Sequence, residues 1–369
     1  MAELKNLLEL TAQRNASDLH IVCGSAPVLR INGELVILEE LGKITPQMAK
    51  LYAYEMLNSE QIKTFEQELD LDFSFGIPGV GRYRVNLHQQ RGSVGIAFRR
   101  LATEIKKVEE LGLPAVVKEF AMLDKGMVLV TGAAGSGKST TLAAMIDIIN
   151  TQRKAHIITV EDPIEYLYSH KNSIIEQREV ISDTRSFASA LKYVLRQDPN
   201  VILVGELRDL ETIAHAITAA ETGHLVLGTL HTTDAVQTID RLIDVFPPYQ
   251  QQQVRVQVSL TLQGVVCQQL VLSADKQHRV AVVETMVATP AVRNLIREGK
   301  TFQIYSSLET GAKVGMQSVD MALADLVDRG LILEEDAFIK ARDAEGLKRR
   351  LAKLKENKEN KEIKADGDR

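Results

Sequence analysis

At 369 residues, with 45% hydrophobic and 25% charged side chains, the chain has the composition of a globular protein of about two or three domains. Its formal net charge of −5 argues against a nucleic-acid partner, and no stretch approaches the roughly 18 apolar residues of a membrane span. Cys23 and Cys267, in no C-x-x-C spacing, argue against a structural zinc site and read as reduced cytosolic thiols. Met1-Ala-Glu-Leu-Lys5 lacks a signal-peptide core, so the expectation is a soluble, cytoplasmic protein that reaches a membrane only through a partner.

Residues 1–100 read as a separate unit. Leu4 to Arg14 is a helical pattern, and Ser17-Asp18 opens the extended run from Leu19 to Val22. Two further runs, Val28 to Ile31 and Leu35 to Leu38, flank Asn32-Gly33, a hairpin-turn dipeptide. Thr45 is a plausible N-cap, with Pro46 in the first turn, for a helix reaching Leu57. Three strands follow, around Phe73 to Phe75, Tyr83 to Leu87 and Val94 to Phe98, giving a small α+β domain with an antiparallel sheet. Arg84 and Arg99 lie near the start and end of the last hairpin, with Arg82, Arg91 and Arg100 close by. They are either solvated side chains or a basic edge able to meet a phosphate. Residues 101–115, with Lys106, Lys107, Glu109 and Glu110 and ending at Pro114, read as a linker.

Residues 116–348 then alternate strand and helix, the mark of a mostly parallel α/β sheet. Met127 to Val130 is a short apolar strand directly before Gly132, Ala133, Ala134, Gly135, Ser136, Gly137, Lys138 and Ser139. That run fits G-x-x-x-x-G-K-[ST], the loop whose backbone N–H groups cradle phosphates. Thr140 continues into a helix whose positive N-terminal end faces the same phosphates. Lys138 is suited to the β- and γ-phosphates of ATP and the Ser139 hydroxyl to Mg²⁺. Strand, loop and helix are all in order, which implies a nucleotide site.

Further strands end in charged or titratable residues: His156 to Val160 before Glu161-Asp162-Pro163-Ile164-Glu165, Val201 to Val204 before Glu206, and Leu225 to Leu230 before His231. Ligands gather at the carboxyl ends of such strands. Glu206 stands where a Walker B acid bridges the metal or orients water. Glu165 is the candidate general base, with Glu161 and Asp162 as competitors. His224 and His231 are imidazoles able to sense a γ-phosphate or a neighbouring subunit. The tail, residues 349–369, is rich in Lys, Glu and Asn and predicts a frayed helix or disorder.

Taken together, the phosphate loop, Glu161 to Glu165, Arg196 to Glu206 and Gly223 to His231 resemble the Walker A, Asp-box, Walker B and His-box motifs of the secretion ATPase superfamily. The likeness extends to Ser17-Asp-Leu-His20 and Arg30-Ile-Asn-Gly33. Residues 291–298, Ala-Val-Arg-Asn-Leu-Ile-Arg-Glu, resemble the segment that marks the type IV pilus retraction ATPases, with Val292 in place of Ile. Ala133-Ala134 replaces the more usual Pro-Thr, which a backbone cradle tolerates. The resemblance implies a PAS-like N-terminal domain, a RecA-like ATPase core and a homo-hexameric ring. It makes Glu165 the base, Glu206 the Walker B acid, and Arg84 and Arg99 the arginines brought onto the nucleotide. The partners implied are the pilus machinery and an inner-membrane platform protein met at its cytoplasmic face. The runner-up is an accessory retraction, pilus assembly or type II secretion ATPase; the missing four-cysteine cluster argues against assembly. A nucleic-acid motor and a non-hydrolysing nucleotide scaffold are the other classes in play.

Overall fold

A computed structural model describes residues 2–31, 33–101 and 104–367. Asn32 of the expected hairpin turn, Ala102 and Thr103 of the expected linker, and the last two residues of the tail lie outside the described residues. The chain divides into two units, Met1–Glu104 with Pro163–Leu167, and Ile105–Asp162 with Tyr168–Arg369.

The first unit carries a six-stranded antiparallel sheet. Its strands are β1 (Asp18–Ile21), β2 (Val28–Ile31), β3 (Glu34–Ile37), β4 (Asp70–Ile77), β5 (Gly81–Gln90) and β6 (Ser93–Arg100), in the order β3-β2-β1-β6-β5-β4. Alternation along β5 sends Tyr83, Val85 and Leu87 into the core and Arg84, Asn86 and His88 to the other face. Tyr83 meets Phe98 edge-on and donates its hydroxyl to the Leu8 carbonyl at 2.8 Å, so the helix Ala2–Gln13 is tied to the sheet. Thr45 caps the helix Pro46–Met56 by accepting from Met48 N–H. A further helix, Ser59–Glu68, starts at an Asn58–Gln61 capping box.

The second unit is built on seven strands: β7 (Gly126–Thr131), β8 (His156–Glu161), β9 (Ile174–Glu179), β10 (Val201–Val204), β11 (Leu225–Leu230), β12 (Leu262–Leu272) and β13 (Arg279–Val287). They lie in the order β13-β12-β7-β11-β10-β8-β9, all pairs parallel except β12 with β13. Helices cover both faces, so β7, β10 and β11 are buried at every position. Leu129 and Val204 belong to the core on one face and Val130 and Leu203 to that on the other. Register carries the ends of the central strands to one level: Val204 stands opposite Val160 and Gly228, and Leu230 opposite Thr131.

The helix Ala344–Gly367 runs on through the region whose composition predicts fraying or disorder. Leu347 and Leu351 are buried in a cluster with Val271, Val282 and Leu323, and Leu354 packs against it. That apolar stripe, at helical spacing, gives the start of the charged helix a surface to lie on.

Candidate active site

The glycines of the phosphate loop do what the motif needs of them. Gly132, Gly135 and Gly137 take φ of 142°, 73° and 92°, conformations that cost a residue with a Cβ. A Cβ at Gly132 would run into the Gln268 carbonyl oxygen, and one at Gly137 would come within 2.9 Å of Gln268 Nε2. Gln268 is itself buried on β12 and accepts from Thr141 Oγ1 at 2.8 Å, so it braces both the loop and the first turn of the helix Lys138–Gln152. Gly137 is the N-cap of that helix and offers no side chain to cap it, which leaves the end suited to an external anion.

Lys138 Nζ donates to the carbonyls of Gly132 and Ala133 at 2.8 and 2.9 Å, across the mouth of the loop. Ser136 Oγ is buried with no partner, an oxygen that an additional polar group can satisfy. Ala133, Ala134 and Gly135 are exposed, while Ser139 and Thr140 are half-buried in the first helical turn. A tight left-handed turn, a helix start, an ammonium group and an unsatisfied buried hydroxyl together fit a polyphosphate.

Glu206 follows β10 and His231 follows β11, the neighbouring strand. His231 Nε2 lies 3.2 Å from one Glu206 oxygen, and the Arg208 guanidinium 2.7 Å from the other. Thr229 Oγ1 donates to the Gly205 carbonyl and Leu207 N–H to the Thr229 carbonyl, which lock the strand ends together. The carboxylate therefore stands between two basic groups in an oriented pose. Arg208 was not singled out from the sequence, although Glu206-Leu-Arg208 places it two residues on, the spacing at which extended side chains share a face.

Glu161 closes β8 at the same end of the sheet, buried, and accepts from Thr159 Oγ1 at 2.6 Å and from Gln177 Nε2 at 3.3 Å. Both donors come from the sheet, on β8 and β9, and hold the carboxylate in place. Glu165 is exposed and sits in Pro163–Leu167, the segment that goes with the first unit. Arg84 and Arg99 stand directly opposite each other on β5 and β6 of that unit, both exposed.

His224 lies within the second unit but away from the phosphate loop. It precedes β11, its carbonyl accepting from Gly126 N–H at the start of β7, so it lies at the opposite end of the sheet from the loop. With strands of six residues, that separates it from the loop by about 20 Å. Its ring is engaged locally, with Nδ1 3.0 Å from the Ala219 carbonyl. Within one chain His224 is not part of the phosphate cluster.

The match to a model of the type II/IV secretion system protein family spans residues 96–323. The chain belongs to this family. It is 47% identical over 92% of its length, and 98% of the other chain, to the type IV pilus retraction ATPase PilT of Pseudomonas aeruginosa. It is 45% identical to a twitching motility protein of Neisseria gonorrhoeae, over 93% of this chain and 91% of that one. Among solved structures, that of the pilus retraction motor PilT with bound ADP superposes with a TM-score of 0.87 at 46% identity, covering 93% of this chain and 99% of that one.

Proposed function

We propose that the protein is the ATP-driven motor of type IV pilus retraction, the movement behind twitching. The observation that carries this reading is the meeting of a phosphate cradle with the Glu206–His231 pair at one end of a parallel sheet. It occurs in a chain aligned along most of its length with proteins named for retraction and twitching. The protein is an ATPase of the secretion family. The second unit serves as a RecA-like core and the first as a PAS-like domain, and six copies close a ring. That ring works at the cytoplasmic face of the inner membrane on a platform protein of the pilus machinery.

Hydrolysis needs the γ-phosphate held, its charge offset and one water aimed. The loop backbone and Lys138 hold the phosphates. Ser139 and Glu206 are the residues to hold Mg²⁺, which when bound neutralises charge on the β- and γ-oxygens. Glu165 aims the water, and Arg84 and Arg99 offset the charge that develops at the γ-phosphate. His231, in contact with Glu206, is the imidazole suited to sense the γ-phosphate.

The test is Mg²⁺-dependent phosphate release by the purified chain. Lys138→Ala and Glu206→Ala should abolish it, and Glu165→Gln should leave ATP binding near normal while removing turnover. Wild-type rates in Lys138→Ala or Glu206→Ala would remove the site assignment.

A further inference from the structure

Two sequence features go unused by the nucleotide site: Ser17-Asp18 on entry to β1 and Arg30 on β2. The first unit's sheet brings them to the catalytic arginines. In register across four strands stand Arg30, Asp18, Arg99 and Arg84, three guanidinium groups with one carboxylate. Like charges placed directly opposite on neighbouring strands repel, so the Arg84–Arg99 pair works against the sheet that carries it. Asp18 is the offsetting charge. Although it belongs to a polar row, it is only 7% exposed.

Its bonds are directional. One oxygen accepts from Arg99 Nε at 3.0 Å; the other accepts from Ser17 Oγ at 2.8 Å and lies 3.8 Å from Arg30 Nε. The Arg99 side chain nevertheless remains 72% exposed. A guanidinium gripped at Nε, the inner side of the fork, keeps its outer nitrogens directed away from the grip, where they can make the paired bonds that a phosphate accepts. An ion pair with so exposed a partner adds little stability. What it changes is the freedom of a long side chain that must otherwise be ordered at the moment of reaction.

We infer that Asp18 is a positioning residue for hydrolysis, holding Arg99 in the pose from which it meets the γ-phosphate. This rests on the role given to Arg99 above. Asp18 touches neither nucleotide nor metal; it acts through Arg99.

The experiment is a double-mutant cycle in the full-length chain, reading kcat and KM for ATP together with thermal unfolding. Asp18→Asn keeps the shape and removes the charge. It should lower kcat by about tenfold or more, leave KM within about twofold and move Tm little. Added to Arg99→Ala, it should cost nothing further, because the group it positions is gone. Normal kcat in Arg99→Ala would overturn the role of that arginine and the inference with it. A slow Arg99→Ala with a normal Asp18→Asn, or effects that multiply in the double variant, would overturn the role of Asp18 alone. Should Asp18→Asn fail to fold, the same cycle is run with Asp18→Glu, which keeps the charge but displaces the carboxylate by one methylene; the same two outcomes decide.

Discussion

A methyl group placed on Gly132 lies 2.1 Å from the Gln268 carbonyl and 2.6 Å from Ser136 Oγ, whereas one on Gly135 meets nothing within 4 Å. Both glycines have positive φ, so alanine at either pays about 1–2 kcal/mol of backbone strain. At Gly132 the clash with main chain adds about 1–3 kcal/mol more, because a carbonyl in β12 cannot rotate aside. We therefore expect Gly132→Ala to lower Tm further than Gly135→Ala and to lose affinity for a fluorescent ATP analogue. Equal effects of the two substitutions would mean that Gln268 does not brace the loop. At this scale the sequence showed the cradle plainly, because the motif is a contiguous string. Gln268 stayed hidden, since nothing in the run Cys267-Gln-Gln269 marks which glutamine reaches a loop more than 100 residues earlier.

Element by element, the helix Pro290–Arg297 tests what this motor does. Val292 and Ile296 are fully buried in the core of the second unit, and Leu295 is partly buried beside them. Arg293 donates to the Ser259 and Leu260 carbonyls at 2.8 and 3.0 Å, capping the helix Pro248–Thr261. The apolar stripe of Val292, Leu295 and Ile296 is thus graded, with Leu295 on its rim. Leu295→Ala should cost about 1–2 kcal/mol, below the 2–5 of a fully buried leucine, and leave ATP binding intact. In cells it should stop pilus retraction; normal retraction would make the stripe simple packing. Glu284 on β13 offers a second test. It is 2% exposed, faces Asp234 and Arg342, accepts from Ala235 N–H at 2.9 Å, and burial pushes its pKa up to about 7. Since the folded value lies above the unfolded one, the folded chain holds the extra proton between about pH 4.5 and 7. Its contribution is whole below that window and is lost as pH rises through 7, on the order of 3 kcal/mol. Glu284→Gln should therefore be more stable than wild type at pH 8 and level with it near pH 4.5; parallel stability curves would contradict this. Legibility followed burial. β7, β10 and β11 are covered on both faces and read as unbroken apolar runs, while β12 and β13 were missed. β12 interleaves Gln263, Gln268 and Gln269 with valines, and only the fold reveals that Gln268 is buried against Thr141. β9 was missed because Glu176 and Arg178 interrupt an edge strand.

For the whole molecule, Arg84 and Arg99 belong to one unit, and the phosphate loop, Glu206 and His231 to the other; the function proposed above requires both for turnover. Arg84→Ala and Arg99→Ala should each lower turnover by about 10³-fold, the scale of a lost arginine finger, while hurting nucleotide affinity less. Whether ATP turnover retracts a pilus is decided in the cell. The decisive measurement is a count of surface pili, with a twitching assay, in a strain lacking the gene and in the same strain carrying the wild-type or the Lys138→Ala chain. We expect pili to accumulate and twitching to stop without the gene, the wild-type chain to restore both, and Lys138→Ala to restore neither. Cells without pili, or unchanged twitching, in the deletion strain would contradict a retraction motor.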